Sequence, residues 1–256
     1  MTSWSVNCSI LFTELPLLER PAAAAAAGFD AVEFWWPFDS AAPADADVEA
    51  FARAIEDAGV TLSALNLAAG DMAAGDRGLI SWPGRENEVR DSIDVAAALG
   101  KRLGTIAFNA LYGNRLDGVD PRDQDAVALQ NLGRAAALLD GTVVLEPLSG
   151  MPAYPLKTAA DALAVADQVE VALLFDLYHL AVNGDDLAAV IAQHADRIGH
   201  VQIADAPGRH EPGTGEVPLM QHLTALAAAG YRGRVGLEYV PTTTSERAFD
   251  WMKETS

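Results

Sequence analysis

Four oxygen-bearing side chains stand at the ends of four short apolar segments in the second half of the chain. They are Glu146, Asp176, Gln202 and Glu238. Three carboxylates and an amide brought together would repel one another unless a cation joined them, and an all-oxygen ligand set selects a hard ion such as Mg²⁺ or Mn²⁺. Taken singly, each acid could equally cap a helix or pair with a basic residue. Four oxygen-bearing side chains at consecutive segment ends favour a shared metal site.

A repeated pattern along the chain predicts the elements that would carry these side chains. An Ala- and Leu-rich helical stretch ends in a glycine, and a short apolar run follows after a few polar residues. A glycine that ends a helix just before a strand marks a joint between helix and strand. The pattern occurs at Gly28, Gly59, Gly100, Gly141, Gly199 and Gly230.

The number of these units predicts the fold. Trp4 to Ile10 reads as a first strand, and Val171 to Phe175 as a strand without its glycine, which makes eight units of roughly 34 residues, the size of a βα module. We therefore predict a (β/α)8 TIM barrel, of the α/β class, as a single domain over residues 1–256. An open doubly wound sheet is the alternative. In a barrel, the ends of the last four strands meet at one mouth.

Local signals mark several helix starts. Asp120 before Pro121 predicts an N-cap followed by a proline in the first turn, and Thr158 with Asp161 resembles a capping box. Pro21 interrupts an otherwise good first helix. That helix is expected either to begin near Leu18 or to be kinked.

Composition excludes several classes of function. The 256 residues carry 17 Lys and Arg against 36 Asp and Glu, a net charge of −19, which disfavours nucleic acid and anionic membranes as partners. The single cysteine, Cys8, cannot form an internal disulfide or a thiolate metal cluster and fits a reducing compartment. The start of the chain carries no charged segment typical of a signal peptide, and no apolar run is long enough to span a bilayer. We expect a cytoplasmic protein that acts on a small molecule.

Several segments resemble a known family, the hydroxypyruvate isomerases of the xylose-isomerase-like barrel superfamily, which also includes family 2 AP endonucleases. The most specific is the loop from Pro207 to Glu216. The other matching segments are Asn7 to Glu14, Ala27 to Phe34, Asn66 to Asp71, Leu145 to Leu148, Asp176 to His179 and His200 to Ala204. The resemblance implies a divalent metal held by Glu146, Asp176, Gln202 and Glu238. Ketose epimerases of the superfamily usually have His at the third position, so Gln202 favours the hydroxypyruvate branch.

The expected reaction interconverts hydroxypyruvate and tartronate semialdehyde through an enediolate. Glu146 and Glu238 would carry the two proton transfers from opposite ends of a small hydroxy-oxo acid substrate. His179, three residues beyond Asp176, and Arg209 would contact the substrate, the latter because a guanidinium matches a carboxylate. The substrate-binding set is completed by Glu33 and Asn66, which end the second and third strands. For Arg209 the alternative is a loop ion pair with Glu211 or Glu216.

Other functions remain open at this point. The same metal and glutamates would serve an isomerase or epimerase of 2-oxo-tetronates or related sugar acids. A barrel that binds sugar acids without catalysis is a third candidate. A phosphoryl-transfer enzyme would need a phosphate loop that the chain lacks. An endonuclease would need a cluster of histidines and a basic groove, against five histidines and a charge of −19. The exposed aromatic residues leave a homo-oligomer open.

Overall fold

The computed structural model describes residues 2–254, so the expected domain limits at residues 1 and 256 lie outside it. Eight strands, β1 to β8, form one closed barrel in chain order. Their bounds are Trp4–Asn7, Ala31–Phe34, Thr61–Asn66, Ala107–Asn109, Thr142–Leu145, Ala172–Asp176, Ile198–Ile203 and Val235–Leu237. The predicted (β/α)8 barrel is thereby confirmed.

The pairing of the first and last strands decides between a barrel and an open sheet. β1 lies parallel to β8, with Trp4 opposite Val235 and Ser5 opposite Gly236. An open doubly wound sheet has two unpaired edges. No edge is left at this position, so the open-sheet alternative was wrong.

Helices surround the barrel between successive strands. Helices α1 to α9 span Arg20–Ala26, Asp45–Ala58, Glu86–Leu103, Pro121–Leu138, Ala159–Ala166, Leu177–Val182, Leu187–His194, Leu219–Ala228 and Trp251–Glu254. Short 3-10 turns lie at Leu17–Glu19, Ala195–Arg197 and Arg247–Phe249. The apolar core fills the layer between strands and helices. Within residues 2–254, no helix combines the length and the apolar character needed to cross a membrane.

The helix-start signals are confirmed. Asp120 accepts a hydrogen bond from the Arg122 backbone N–H, and Thr158 forms the capping box with Asp161. Pro21 is the second residue of α1, where its missing N–H costs no intrahelical hydrogen bond. The 3-10 turn at Leu17–Glu19 leads into that helix, so the interruption is resolved at the helix start.

Two of the predicted joint glycines are placed differently. Gly100 lies inside α3, and Gly104 ends that helix in the left-handed region at φ 76°. Gly199 lies inside β7, where an added Cβ would be 2.8 Å from the Ala172 side chain. Both glycines serve close packing of neighbouring elements and not a helix end. β1 also stops at Asn7, three residues before the predicted Ile10, since the chain turns there.

Candidate active site

The structure brings the four predicted ligands to the carboxyl ends of their strands. Glu146 and Glu238 directly follow β5 and β8, Asp176 is the last residue of β6, and Gln202 is the next-to-last residue of β7. Their exposed fractions are 4%, 3%, 1% and 3% respectively. Buried polar groups require hydrogen-bond partners. The partners of each side chain show which of its oxygens are occupied and which are available to a ligand.

Glu146 is held by a neighbouring asparagine. The Asn109 amide at the end of β4 donates to Glu146 Oε2 at 2.6 Å. Burial raises the pKa of Glu146 well above its usual range, and the nearby negative charges of Glu238 and Asp176 raise it further. A carboxyl group in this setting holds a proton more readily than an exposed glutamate does.

Glu238 is held in a similar way and also carries a cation. Asn7 at the end of β1 donates to Oε2 at 2.7 Å, and Arg209 donates to Oε1 at 2.5 Å. Burial raises the pKa of Glu238 to about 7, although the Arg209 charge opposes that shift. Asp176 adds a further repulsive contribution to this pKa. Both candidate proton-transfer groups therefore have raised pKa values.

Asp176 combines a structural and an available oxygen. Its Oδ1 caps α6 by accepting from the backbone N–H groups of Tyr178 and His179, at 2.7 and 3.1 Å. Its Oδ2 is buried and has no hydrogen-bond partner among the described residues. The alternative in which this acid only caps a helix accounts for one oxygen and leaves the other unexplained.

Gln202 shows the same division. Its Nε2 donates to Glu33 Oε2 at 2.9 Å, whereas its Oε1 is buried and finds no donor within residues 2–254. An acceptor oxygen without a donor is costly in a buried site.

These atoms fit a divalent cation. Asp176 and Gln202 each present an unpartnered buried oxygen, and burial, together with repulsion from neighbouring carboxylates, raises the pKa values of Glu146 and Glu238. A hard cation would satisfy the two oxygens and relieve the repulsion. One oxygen each of Glu146 and Asp176, with a ring nitrogen of His179, also lie within 4.8 Å of one another.

His179 is oriented as a hydrogen-bond donor toward the site. The backbone N–H of Ser149 donates to His179 Nδ1 at 3.0 Å, so that nitrogen is the acceptor and Nε2 carries the proton in the neutral ring. Nε2 lies 3.8 Å from Glu146 Oε1. Burial lowers the pKa of His179 to about 4. A protonated Nε2 cannot ligate a metal, which separates His179 from the four oxygen ligands.

Arg209 reaches the site from the loop after β7. Its guanidinium lies 5.4 Å from the centre of the Tyr178 ring, and its buried Nε has no acceptor in the described part of the chain. The expected alternative, a loop ion pair with Glu211 or Glu216, was wrong: the partner is Glu238, and Glu211 accepts from Thr242.

A single buried carboxylate organises the loop that carries Arg209. Asp205 accepts backbone hydrogen bonds from Ala206, Gly213, Gly215 and Val217 at 2.9 to 3.0 Å. Four backbone donors on one carboxylate fix the loop as a unit. Arg209 itself has φ 57°, a left-handed conformation that costs a non-glycine residue backbone strain, and its side chain reaches Glu238.

Glu33 and Asn66 are the two remaining expected substrate contacts, and both are buried. Glu33 is buried inside the barrel, where it accepts from Ser5 and Gln202 and lies 2.9 Å from His200 Nε2. Burial opposes both charges, but their attraction lowers the pKa of Glu33 and raises that of His200, as in an ion pair. Asn66 ends β3 with its backbone in register with Asn109.

Sequence reasoning missed several members of the site. Polar residues at strand ends were selected on the second, third and last four strands, and the same criterion on β1 and β4 would have found Asn7 and Asn109. His200 lies two residues before Gln202 and therefore on the same strand face. The Ser149 contact with His179 has no sequence signal, because it uses a backbone N–H in a loop.

Comparison with known proteins gives full-length matches. A hydroxypyruvate isomerase of Escherichia coli is 36% identical over 98% of both chains. A 2-oxo-tetronate isomerase of Cupriavidus necator is also 36% identical, over 99% of this chain and 98% of its own length. A Streptomyces coelicolor protein named as a hydroxypyruvate isomerase reaches 53% identity over 97% of this chain and 95% of its own.

A solved structure and a family model agree with these matches. The crystal structure of a family 2 AP endonuclease from Brucella melitensis superposes with a TM-score of 0.90, at 35% identity and 99% coverage of both chains. The model of the xylose isomerase-like TIM barrel matches residues 21–255. With its eight-stranded barrel and four oxygen side chains at the mouth, the chain belongs to the xylose isomerase-like TIM-barrel family.

Proposed function

We propose that this protein is a metal-dependent isomerase that interconverts hydroxypyruvate and tartronate semialdehyde. The observation that carries the proposal is the pair of buried glutamates with raised pKa values, each held by one asparagine beside the unpartnered oxygens of Asp176 and Gln202. An isomerase of this kind needs two groups that accept and return protons at adjacent carbons. The names of the E. coli and S. coelicolor relatives support the same substrate.

The ligands of the metal would be Glu146, Asp176, Gln202 and Glu238. Their oxygen donors suit Mg²⁺ or Mn²⁺. When bound, such an ion supplies a positive charge that stabilises the negative charge developing on the substrate oxygens.

The protein side chains carry the proton transfers. One glutamate takes a proton from C3 of hydroxypyruvate, and the other delivers a proton to C2, while the O3 proton passes to O2. Arg209 binds the substrate carboxylate through its guanidinium. His179 donates from Nε2 to a substrate oxygen, because Ser149 fixes the tautomer and the low pKa keeps the ring neutral. Asn66, whose backbone pairs in register with Asn109 at the strand ends, would complete the substrate contacts.

A second substrate has its own support. The relative from C. necator is a 2-oxo-tetronate isomerase at the same identity as the E. coli hydroxypyruvate isomerase. The same glutamates would serve a substrate with one more carbon.

We place the enzyme in the cytoplasm because Cys8 is a free, buried thiol and the chain has no other cysteine.

Proton NMR in deuterium oxide tests this function. With Mn²⁺-free Mg²⁺ buffer, we expect the wild-type protein to exchange substrate C–H protons for deuterium in hydroxypyruvate or in a 2-oxo-tetronate, and chelator to stop the exchange. Glu146→Gln and Glu238→Gln should each slow exchange by at least about 10²-fold, the usual contribution of a positioned acid or base. Exchange at the wild-type rate in either variant would contradict the assignment.

The histidine provides a matched control for that experiment. His179→Ala removes a substrate contact but none of the four oxygen ligands, so it should slow turnover and leave metal affinity unchanged. Bound metal without any exchange in the wild-type protein would instead favour a barrel that binds sugar acids without catalysis.

A further inference from the structure

The amide of Gln202 can serve a cation in only one of its two orientations. An amide presents an oxygen on one side and an NH₂ group on the other, and the two are nearly equal in size. If Nε2 faced the centre, the site would offer a donor where a cation needs an acceptor. Something in the barrel must therefore select the orientation in which Oε1 is free.

Glu33 is the group in contact with the other half of this amide. Its Oε2 lies 2.9 Å from Gln202 Nε2. An ionised carboxylate only accepts hydrogen bonds, so it can bind the NH₂ side of the amide and would repel the oxygen side. Ser5 and His200 face the other oxygen of Glu33, with His200 Nε2 at 2.9 Å, and keep the carboxylate paired although it is 1% exposed.

The barrel is built to let Glu33 reach that position. Glu33 extends from β2 past the strands β1 and β8 to side chains of β7. Gly236 of β8 has no side chain where the carboxylate passes, and a Cβ there would lie 2.5 Å from Glu33 Oε2 and 2.6 Å from Oε1. Gly236 thus leaves the space that the carboxylate occupies.

We propose that Glu33 is a positioning residue that holds Gln202 with its amide oxygen toward the metal centre. The proposal rests on the metal centre of the proposed function. Glu33 acts through Gln202 and not on the substrate. The same contact explains why a neutral amide serves at this position, since a second carboxylate there would face Glu33 directly.

A double-mutant cycle with a carboxylate and amide exchange tests this role. The four proteins are the wild type, Glu33→Gln, Gln202→Glu and the double variant Glu33→Gln/Gln202→Glu, which keeps the net charge and volume. The readout is the Mn²⁺ dissociation constant from isothermal titration calorimetry, at constant pH, with unfolding of the metal-free proteins as the folding control.

The effect of Gln202→Glu on Mn²⁺ affinity is expected to have opposite signs in the wild-type and Glu33→Gln backgrounds. In Glu33→Gln, Ser5 and His200 keep the oxygen of the new amide on their side, so its NH₂ group faces Gln202. We therefore expect a loss of about 10–100-fold in Mn²⁺ affinity, typical when a partner of a metal ligand is removed. Gln202→Glu should weaken binding beside Glu33, because two carboxylates then repel. The same substitution should strengthen binding in the Glu33→Gln background, where the new amide donates to the new carboxylate.

Two results would overturn the proposal. One is wild-type Mn²⁺ affinity in Glu33→Gln, and the other is an equal effect of Gln202→Glu in both backgrounds. If Glu33→Gln does not fold, the double variant must fold and bind Mn²⁺ more tightly than Gln202→Glu alone, and failure to do so also counts against it. A wild-type protein that takes up no Mn²⁺ would refute the metal centre of the proposed function itself.

Discussion

Each of the two proposed proton-transfer groups has one oxygen occupied by an asparagine from an adjacent strand. Asn7 on β1 holds Glu238 on β8, and Asn109 on β4 holds Glu146 on β5. A neutral amide donor fixes the carboxylate without neutralising it, so the group keeps its capacity to accept a proton or a cation. The two glutamates therefore have matching supports on opposite halves of the barrel.

The raised pKa of Glu238 predicts how stability depends on pH in the metal-free protein. Its pKa is about 7 in the folded state against 4.5 for the ordinary group. Between these values the folded protein retains a proton that the unfolded chain releases, so the stabilising effect is complete below pH 4.5 and is lost as pH rises through 7. In chelator, we expect the free energy of unfolding of the wild type to fall by a few kcal/mol relative to that of Glu238→Gln between pH 5 and 8.

Urea unfolding of both proteins at several pH values measures that difference. Because the comparison subtracts a variant of equal volume, titration of distant groups cancels, whereas the titration of Glu146, whose pKa the Glu238 charge raises, contributes to the difference. Parallel pH profiles would show that Glu238 titrates in its usual range. Saturating Mn²⁺ should remove the decline, since a bound cation favours the ionised carboxylate.

Some of these residue-scale features could be predicted from the sequence and others could not. The position of Asp176 or Gln202 at the end of a strand follows from alternation along one segment. The reach of Glu33 to Gln202 does not, because it depends on an absent side chain at Gly236, on a strand 203 positions away along the chain. Contacts across the barrel need the closed fold before they can be seen.

At the scale of elements, glycine proved an ambiguous signal. Gly104 ends α3 with a positive φ, whereas Gly100 lies four residues earlier within the same helix. The sequence pattern predicted a joint but gave its position one helical turn early. A glycine required by tight packing and a glycine required by the backbone look alike in a sequence.

Two helical glycines allow this distinction to be tested. At Gly100 of α3, an added Cβ would lie 2.5 Å from Cζ of the buried Phe108 ring, whereas at Gly133 of α4 the nearest atom is Val169 Cγ2 at 3.8 Å. We expect Gly133→Ala to stabilise the protein by about 0.5–1 kcal/mol, as alanine favours helix. Gly100→Ala should destabilise it by about 1–3 kcal/mol through overpacking.

Chemical denaturation of the two variants beside the wild type provides the measurement. The substitution is identical in both cases, so helix propensity contributes equally and the difference reports packing. Equal stabilisation by both substitutions would show that Phe108 moves aside without cost.

At the scale of the whole molecule, closure of the barrel is what makes one site from four distant segments. Residues from Asn7 to Glu238 contribute, and the first and last strands must pair before Asn7 can hold Glu238. The repeated units predicted this closure, because eight βα modules fit a barrel. The exact bounds of the strands were less predictable, since turns at strand ends depend on neighbouring loops.

Metal binding should therefore stabilise the whole fold. A ligand at 100 times its dissociation constant adds about 2.7 kcal/mol, which corresponds to a rise of about 5–10 °C in Tm for a chain of this size. Differential scanning calorimetry with Mn²⁺ against chelator measures this shift. Asp176→Asn should reduce it strongly, and His179→Ala should leave it intact. An undiminished shift in Asp176→Asn would place the ion elsewhere.

The pairing of Arg209 with Glu238 has a consequence for which compounds gain entry. The guanidinium already has an anion at 2.5 Å on Nη2, and its Nε has no acceptor among the described residues, so an acid that binds in bidentate fashion competes with that anion for Nη2. An uncharged sugar with the same hydroxy-ketone group brings no replacement and leaves the existing pair in place. Acids and neutral sugars are then distinguished by competition for Arg209 during binding, before the first proton transfer.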